Sequence, residues 1–259
     1  MLACYNRRMR VACINVGTKY DDVYVQRLYN MCLRHLPREF SFTCFTDRRR
    51  DLNPAIEQRD CTTWNLEGWW TKLRLFDKNV LNEEFLFLDL DNVIVRDLGP
   101  LCDFATASKD ASIIGMRDFH YDTFGSTAML VRPDDITHGI WEAFAKGEGF
   151  ENLENLGRKY GDQDYIDEYV RSRRIEAHIS FWPDEWFLSY KALRKRHAAD
   201  PSAARDAIEQ ALMIVFHGKP KQHQLLNRWS NLYLLAFQKP LRLFSYWRFL
   251  EREVRQWWQ

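Results

Sequence analysis

The sequence lacks a strong charge of either sign, a long apolar run and any low-complexity segment. Lys and Arg total 37 against 36 for Asp and Glu, which gives a formal net charge of +1. A general nucleic-acid-binding surface is therefore not indicated. No apolar run approaches the roughly 20 residues that cross a membrane, and none follows the N-terminal charges as a secretory signal requires. We therefore expect a soluble, cytoplasmic chain with no nucleic-acid partner.

Cysteine is sparse, and the cysteines form no C-x-x-C motif. Several of them lie inside apolar runs. This pattern favours reduced, buried thiols in a reducing compartment, with a disulfide framework or a zinc site as the alternative. The six cysteines all lie in the first half of the chain: Cys4, Cys13, Cys32, Cys44, Cys61 and Cys102.

Strands and helices alternate along the chain, which predicts an α/β fold. A strand at 10–17, a helix from Asp21 or Asp22 to the residue before Pro37, and a strand at 41–46 form a β-α-β unit suited to parallel pairing. Further predicted strands lie at 85–95, 112–116, 126–131 and 212–216, and further predicted helices begin near 68, 135 and 162.

The high aromatic content, with 10 Trp and 17 Phe, indicates a well-filled globular interior. Since no internal repeat or linker is evident, we predict one domain over residues 1–224 and a helical tail over 225–259. The polar, Ala-rich stretch 191–211 is predicted to be a surface insertion. The tail is basic and aromatic, so it is predicted either to pack on the domain or to lie on an anionic membrane surface.

The apolar run at 85–95 carries the most informative motif, Asp89-x-Asp91. Four apolar residues precede the pair and three follow Asn92, which predicts one buried strand. Residues two apart in a strand point the same way, so both carboxylates are expected to project together. Paired carboxylates need compensation, which a divalent cation commonly gives. A turn or a helix cap is the ordinary alternative for an isolated Asp-x-Asp.

Polar groups follow two other predicted elements. His217-Gly218-Lys219 comes after the last strand, where His217 is either a hydrogen-bonded strand-end residue or a ligand for a divalent ion. Asp162 and Gln163 lie at a helix start, where acidic residues act as caps. The amide of Gln163 is also suited to a polyhydroxyl ligand, because it both donates and accepts hydrogen bonds.

These stretches resemble the nucleotide-sugar glycosyltransferases of the GT-A fold. The resemblance is strongest to the retaining group that contains glycogenin and the bacterial lipopolysaccharide galactosyltransferases. It implies a single Rossmann-like domain with a mostly parallel central sheet flanked by helices. The matched stretches are 11–20, 69–75, 85–95, 124–131, 161–165 and 216–221.

The resemblance also implies a role for each matched position. The implied metal ligands for Mn²⁺ or Mg²⁺ are Asp89, Asp91 and His217. The implied catalytic residues beside the sugar are Asp162 and Gln163. The implied donor-binding residues are Asn15, Val16, Thr18 and Tyr20 for the base, Lys72 as a basic contact to the donor, and Lys219 or Lys221 for the diphosphate. Gly125, Ser126 and Thr127 replace the family's usual Asn-Ala-Gly near the sugar. The loop at 182–184 has no counterpart in the family, and Trp182 is expected to wall an acceptor site.

The expected reaction transfers a hexose from a nucleoside-diphosphate sugar, UDP favoured, to an acceptor hydroxyl with retention. A carbohydrate or lipid-linked acceptor in glycan or lipopolysaccharide-type assembly would fit peripheral contact with the inner face of a membrane. An inverting reaction with Asp162, Asp164, Asp184 or Glu185 as base stays open. The alternatives are a haloacid-dehalogenase-like phosphatase with Asp89 as nucleophile, and a non-catalytic nucleotide-sugar-binding relative.

Overall fold

A computed structural model describes residues 8–219, 221–226, 251–252 and 254–258. Its strands are β1 (Met9–Asn15), β2 (Phe40–Thr46), β3 (Ile56–Asp60), β4 (Phe85–Leu88), β5 (Asn92–Ile94), β6 (Ile113–Arg117), β7 (Phe124–Val131), β8 (Ile179–Phe181), β9 (Phe187–Ser189) and β10 (Met213–Val215).

The α-helices are α1 (Asp22–His35), α2 (Gly99–Ala107), α3 (Asp135–Ala145), α4 (Phe150–Glu154), α5 (Asp162–Arg173), α6 (Tyr190–Ala199), α7 (Pro201–Gln210) and α8 (Gln222–Leu226). The 3-10 helices are Thr62–Trp64, Gly68–Phe76, Glu176–His178 and Asp184–Trp186. The alternation of strands and helices confirms the predicted α/β class.

The central sheet has seven strands in the order β3-β2-β1-β4-β7-β6-β8. Strand β1 pairs in parallel with β2 and β4, while β7 is antiparallel to both β4 and β6. The remaining pairs, β2 with β3 and β6 with β8, are parallel. The sheet is therefore mostly parallel, as predicted, and the carboxyl ends of β1 and β4 meet at one edge.

The predicted single strand over 85–95 is wrong, because the run divides into two strands of different sheets. Strand β4 ends at Leu88, whose ladder partner is Ala128. Strand β5 begins at Asn92 and pairs with β10 in a three-stranded sheet. Asp89 and Asp91 lie in the connection between the strands. The same-side projection expected of residues two apart in one strand therefore does not apply to them.

The chain divides into two compact units. Among the described residues, the first comprises 8–25, 38–90 and 100–182, and the second comprises 26–37, 91–99 and the described residues from 183 onward. The seven-stranded sheet belongs to the first unit. Phe85 and Phe87 point from β4 into an apolar cluster of this unit, with Leu73 of the 3-10 helix and Ile166 of α5. The alternation of β4 thus gives one face to this cluster, as the period of a strand requires.

The second unit contains the sheet β5-β10-β9, in which β10 is antiparallel to β5 and parallel to β9. The stretch predicted as a polar insertion forms α6 and α7. The hydroxyl of Ser189 caps α6, and the carboxylate of Asp200 caps α7, which has Pro201 in its first turn. These capping residues and the first-turn proline are ordinary helix-start signals, so the Ala-rich stretch is a pair of helices.

Three strands escape the sequence analysis, and one of them, β9, lies at an end of the three-stranded sheet. β3 lies in the polar stretch after β2, and β8 lies just before Trp182. β3 and β8 both lie at an end of the central sheet, and in β3 only Ile56 is apolar and buried. Edge position and short length remove the apolar run by which a buried strand is recognised.

Most of the predicted tail lies outside the described residues. In the part described, Trp258 is buried, and the guanidinium of Arg27 lies 4.0 Å from its ring centre. The carbonyl of Trp257 accepts a hydrogen bond from Arg34 at 2.5 Å. The end of the tail therefore packs on α1 of the same unit. Among the described residues, no helix is both long and apolar enough to span a membrane.

The cysteines follow the favoured prediction where the structure describes them. The five described cysteines are all buried and carry free thiols: Cys13, Cys32, Cys44, Cys61 and Cys102. Cys4 lies outside the described residues.

Candidate active site

Lys72 forms the centre of a buried polar cluster in the first unit. It lies on the 3-10 helix Gly68–Phe76 and is 5% exposed. Its Nζ lies 3.0 Å from an oxygen of Asp162 and 3.1 Å from an oxygen of Asp89. The same ammonium group donates to the hydroxyl of Ser126 at 3.0 Å and to its carbonyl at 3.2 Å. One buried cation thus holds two carboxylates and one strand residue.

The three partners of Lys72 come from three different elements. Asp89 follows β4, and its N–H donates to the carbonyl of Thr127 at 2.8 Å, just past the β4–β7 ladder. Ser126 lies in β7, and its hydroxyl donates to Asp162 at 2.5 Å. Asp162 is the first residue of α5. The sheet edge and the start of α5 therefore meet at Lys72.

Electrostatics favours the charged form of Lys72. Burial by itself would lower the pKa of this lysine, because it removes the ammonium from water. The charges of Asp162 and Asp89 outweigh burial and raise the pKa above its ordinary value. The cluster is therefore a buried ion network.

Gln163, the second residue of α5, has a partner outside the Lys72 cluster. Gln163 donates from Nε2 to a carboxylate oxygen of Asp118 at 3.0 Å. The other oxygen of Asp118 accepts from the backbone N–H groups of His120 and Tyr121 at 2.8 and 3.0 Å. Asp164 completes the helix start by accepting from the N–H of Gly161 at 2.9 Å. Asp118 thus fixes the amide of Gln163, and no motif in the sequence singles it out.

The loop after β1 carries the four predicted base-binding residues. Asn15 ends β1 and is buried, Val16 is half-buried and Thr18 is exposed. The ring of Tyr20 lies 4.8 Å from that of Tyr24 in α1. Because the loop follows the carboxyl end of β1, beside β4, it lies at the sheet edge where α/β folds bind ligands.

The predicted sugar-side residues differ in what they contact. Ser126 belongs to the Lys72 cluster, and Thr127 holds the N–H of Asp89 through its carbonyl. A Cβ on Gly125 would lie 3.1 Å from the carbonyl oxygen of Met116, so glycine there allows close pairing of β6 and β7. Trp182 is buried, and its backbone N–H donates to the carbonyl of Gly115 at 2.9 Å.

In the second unit, Lys221 contacts Asp91. Its Nζ lies 2.7 Å from an oxygen of Asp91 and donates to the carbonyl of Phe216 at 2.9 Å. The N–H of Phe216 in turn donates to the carbonyl of Asp91 at 2.9 Å. Lys221 is buried, whereas Lys219 is exposed. The two lysines left as alternatives by the sequence therefore have different surroundings.

His217 is half-buried beside the start of α6. Its Nε2 and the hydroxyl of Ser189 are 2.6 Å apart. The ring of the neighbouring Tyr190 lies 5.6 Å from the imidazole, and its hydroxyl donates to the carbonyl of Lys219. These contacts fix the segment after β10.

The three predicted metal ligands each have a different partner: Lys72 for Asp89, Lys221 for Asp91 and Ser189 for His217. Asp89 belongs to the first unit, and Asp91 and His217 belong to the second. Over the described ranges, no three His, Cys, Asp or Glu side chains form a group that could hold a metal ion. Their joint role as metal ligands stays a prediction.

Neither a protein-family model nor a curated protein matches the sequence. Solved structures do match. The galactosyltransferase LgtC, in complex with donor and acceptor sugar analogues, is 13% identical with a TM-score of 0.55, and the alignment covers 92% of this chain and 100% of LgtC. The glycosyltransferase GlyE of Streptococcus pneumoniae, in its apo form, is 12% identical with a TM-score of 0.58, over 96% of this chain and 64% of GlyE.

Mouse xyloside xylosyltransferase 1 is 10% identical with a TM-score of 0.53, over 82% of this chain and 98% of that chain. The chain has the GT-A glycosyltransferase fold. This fold confirms the resemblance drawn from the motifs.

Proposed function

We propose that the chain is a glycosyltransferase that moves a hexose from a nucleoside-diphosphate sugar, with UDP as the favoured nucleotide, to an acceptor hydroxyl. The observation that carries the proposal is the buried Lys72 cluster at the ligand-binding edge of a GT-A sheet. A buried charge network is costly to form and is not needed to hold a sheet together. Its place and composition suit recognition of a polar, charged substrate.

Asp162 would act beside the transferred sugar. Its side chain is only 7% exposed, and a buried carboxylate is costly unless it is paired and hydrogen-bonded. Lys72 supplies the pairing charge, and the hydroxyl of Ser126 supplies a hydrogen bond. These two partners fix the carboxylate of Asp162 in one orientation, which is what electrostatic stabilisation of a developing positive charge requires.

Gln163 would stabilise the oxocarbenium-like centre that forms when the glycosidic bond breaks. Its amide nitrogen is used in the hydrogen bond to Asp118. The amide oxygen is therefore the end that can face a developing positive charge. Because Asp118 is itself held by two backbone N–H groups, the amide is oriented before the substrate binds.

A divalent cation, Mn²⁺ or Mg²⁺, fits the chemistry of the predicted ligands. Carboxylate oxygens and an imidazole nitrogen are ordinary ligands for these ions. Asp89, Asp91 and His217 would hold the cation. When bound, it would act as a Lewis acid on the leaving diphosphate. Lys219, which is exposed, would add positive charge for the same group.

Transfer with retention is the favoured outcome. A separate catalytic base is needed only for inversion, and two carboxylates considered for that role are already engaged. Asp162 pairs with Lys72, and Asp164 pairs with Arg158 at 2.6 Å. Proton NMR of the fresh product should show the anomeric configuration of the donor, and the opposite configuration would point to Asp184 or Glu185 as base.

The proposed acceptor is a carbohydrate or lipid-linked sugar in glycan or lipopolysaccharide-type assembly, with the enzyme in the cytoplasm or at the inner face of its membrane.

Metal dependence is tested by measuring turnover of the preferred sugar nucleotide with Mn²⁺ and with excess EDTA. We expect EDTA and Asp91→Asn each to abolish turnover. Full activity with EDTA would remove the metal from the proposal, and a phosphorylated Asp89 would support the phosphatase instead.

A further inference from the structure

The turn after β1 is held by side chains that follow β2. Gly17 has a φ of +68°, in the left-handed region that favours glycine. Its N–H donates to a carboxylate oxygen of Asp47 at 2.8 Å, and its carbonyl accepts from Arg48 at 2.9 Å. Both polar backbone groups of this turn residue are therefore bound by neighbouring residues of one segment.

Arg50 is the buried centre of this arrangement, and its side chain has no exposed surface. Its Nη2 donates to the carbonyl of Asn15 at 2.8 Å, and its Nη1 pairs with Asp22 at 2.9 Å. Its Nε donates to the hydroxyl of Thr46 at 2.7 Å, and Nη2 also lies 3.2 Å from Asp47. One guanidinium thus joins the ends of β1 and β2 to the start of α1.

The backbone that carries Arg50 is itself fixed. Its N–H donates to the side chain of Gln58 at 2.9 Å, and its carbonyl accepts from the same amide at 3.0 Å. The next N–H, of Asp51, donates to the second oxygen of Asp22 at 2.9 Å. The guanidinium is therefore placed by a rigid support on β3 and α1.

A lysine could not reproduce these contacts. Guanidinium presents five donors in a planar fork, whereas an ammonium group is a compact point charge. A buried ion pair is weak evidence for stability, because its desolvation offsets much of its attraction. The best-attested use of such a pair is to specify one geometry, and here the geometry is that of the loop at 15–20.

We propose that Arg50 is a positioning residue, which fixes the turn after β1 in the shape that receives the base of the donor nucleotide. The inference rests on the proposed function, since it assumes that residues 15–20 contact that base. A loop held in its binding shape avoids the entropic cost of ordering, which increases affinity and selectivity. Asp47 shares the role through the N–H of Gly17.

The test measures the dissociation constants of UDP, ADP, GDP and CDP by calorimetry in MnCl₂ for wild type and Arg50→Lys. Arg10→Lys is the matched control, because Arg10 also bridges β1 to its neighbours, through Thr43 at 2.7 Å and Glu57 at 2.9 Å, but lies at the opposite end of the strand. For Arg50→Lys, we expect the nucleoside diphosphate that wild type binds most tightly to bind at least tenfold more weakly. The ratio between its affinity and that of the next-best nucleoside diphosphate should fall at least fivefold. The control should change neither value by more than twofold.

If Arg50→Lys does not fold, Asp47→Ala provides the same measurement, because it removes the acceptor for Gly17 from a partly exposed side chain. A folded variant that keeps both affinity and base preference would overturn the inference and leave the proposed function intact. Wild type that binds nucleoside diphosphates without preference would also overturn it. Wild type that binds none of the four would overturn the proposed function itself.

Discussion

Replacing Lys72 with Met removes the ammonium group and keeps a side chain of similar length. Lys72 is 5% exposed, and the change leaves Asp162 and Asp89 without their shared cation. Removal of one partner from a buried ion pair costs about 3–5 kcal/mol. The side chain of Asp89 is 33% exposed, so water would compensate part of its charge. We therefore expect a loss near the lower limit, about 3 kcal/mol.

Urea unfolding at pH 7 measures this loss as a change in the free energy of unfolding. Lys78→Met is the matched control, because Lys78 pairs with Asp135 at 3.2 Å while both side chains are largely exposed. An exposed pair is worth under about 1 kcal/mol, so the control should change little. The double variant Lys72→Met/Asp162→Asn should recover part of the loss, because it removes one stranded charge.

The pH dependence follows from the raised pKa of Lys72. A group whose pKa is higher in the folded state stabilises the fold fully below its unfolded pKa, about 10.4 for lysine, and loses that contribution as pH rises through the folded value. The Lys72 contribution should therefore be constant between pH 6 and 9. If Lys72→Met lowers the free energy of unfolding by less than about 1 kcal/mol, as expected for an exposed pair, the description of Lys72 as a buried cation is refuted.

Three further predictions concern other parts of the chain. Gln163→Ala should lower kcat about 100-fold, with little change in donor KM, in steady-state assays, because it removes an oriented dipole. Tyr190→Phe should lower the free energy of unfolding by about 1 kcal/mol, because it removes the hydrogen bond to the carbonyl of Lys219. Burial raises the pKa of Cys61 to about 12, and the other described thiols are buried as well. At pH 8, Ellman's reagent should therefore label at most Cys4 in the native chain, and more labelled thiols would contradict the packing.

Much of the fold follows from apolar periodicity. The β-α-β unit from β1 to β2 is recognised because its strands are apolar and α1 places apolar residues on one face. The start of α5 is recognised because Asp162 and Asp164 precede an apolar pattern. These elements depend on local chemistry, so the sequence near each of them is sufficient.

The break in the run at 85–95 has one weak local signal, the Asp89-x-Asp91 pair, for which a turn is the ordinary alternative, and residues 90 and 91 form that turn. Leu90 is as buried as the strand residues before it, so the apolar pattern continues through the connection. What ends β4 is its ladder with β7, and what begins β5 is pairing with β10, far along the chain. Pairing partners decide such boundaries, and one strand's sequence does not specify them.

The same limit applies to the candidate site. The sequence indicates Lys72 through the resemblance and Asp162 through its place at a helix start, and only the fold brings them to 3.0 Å. Asp118 and Arg50 were not selected, because a single carboxylate in a loop and one of three consecutive arginines carry no recognisable motif. Their roles depend on residues 45 positions away for Asp118 and 35 positions away for Arg50.

The most direct test of the proposed function is a panel of nucleoside-diphosphate hexoses incubated with the chain and Mn²⁺, scored by released nucleoside diphosphate. Asp162→Asn is assayed in parallel, with the far-ultraviolet circular dichroism of both proteins checked for folding. We predict that wild type releases nucleoside diphosphate from one donor and that the folded Asp162→Asn protein loses this activity. Release from no donor, or equal release by Asp162→Asn, would contradict the account.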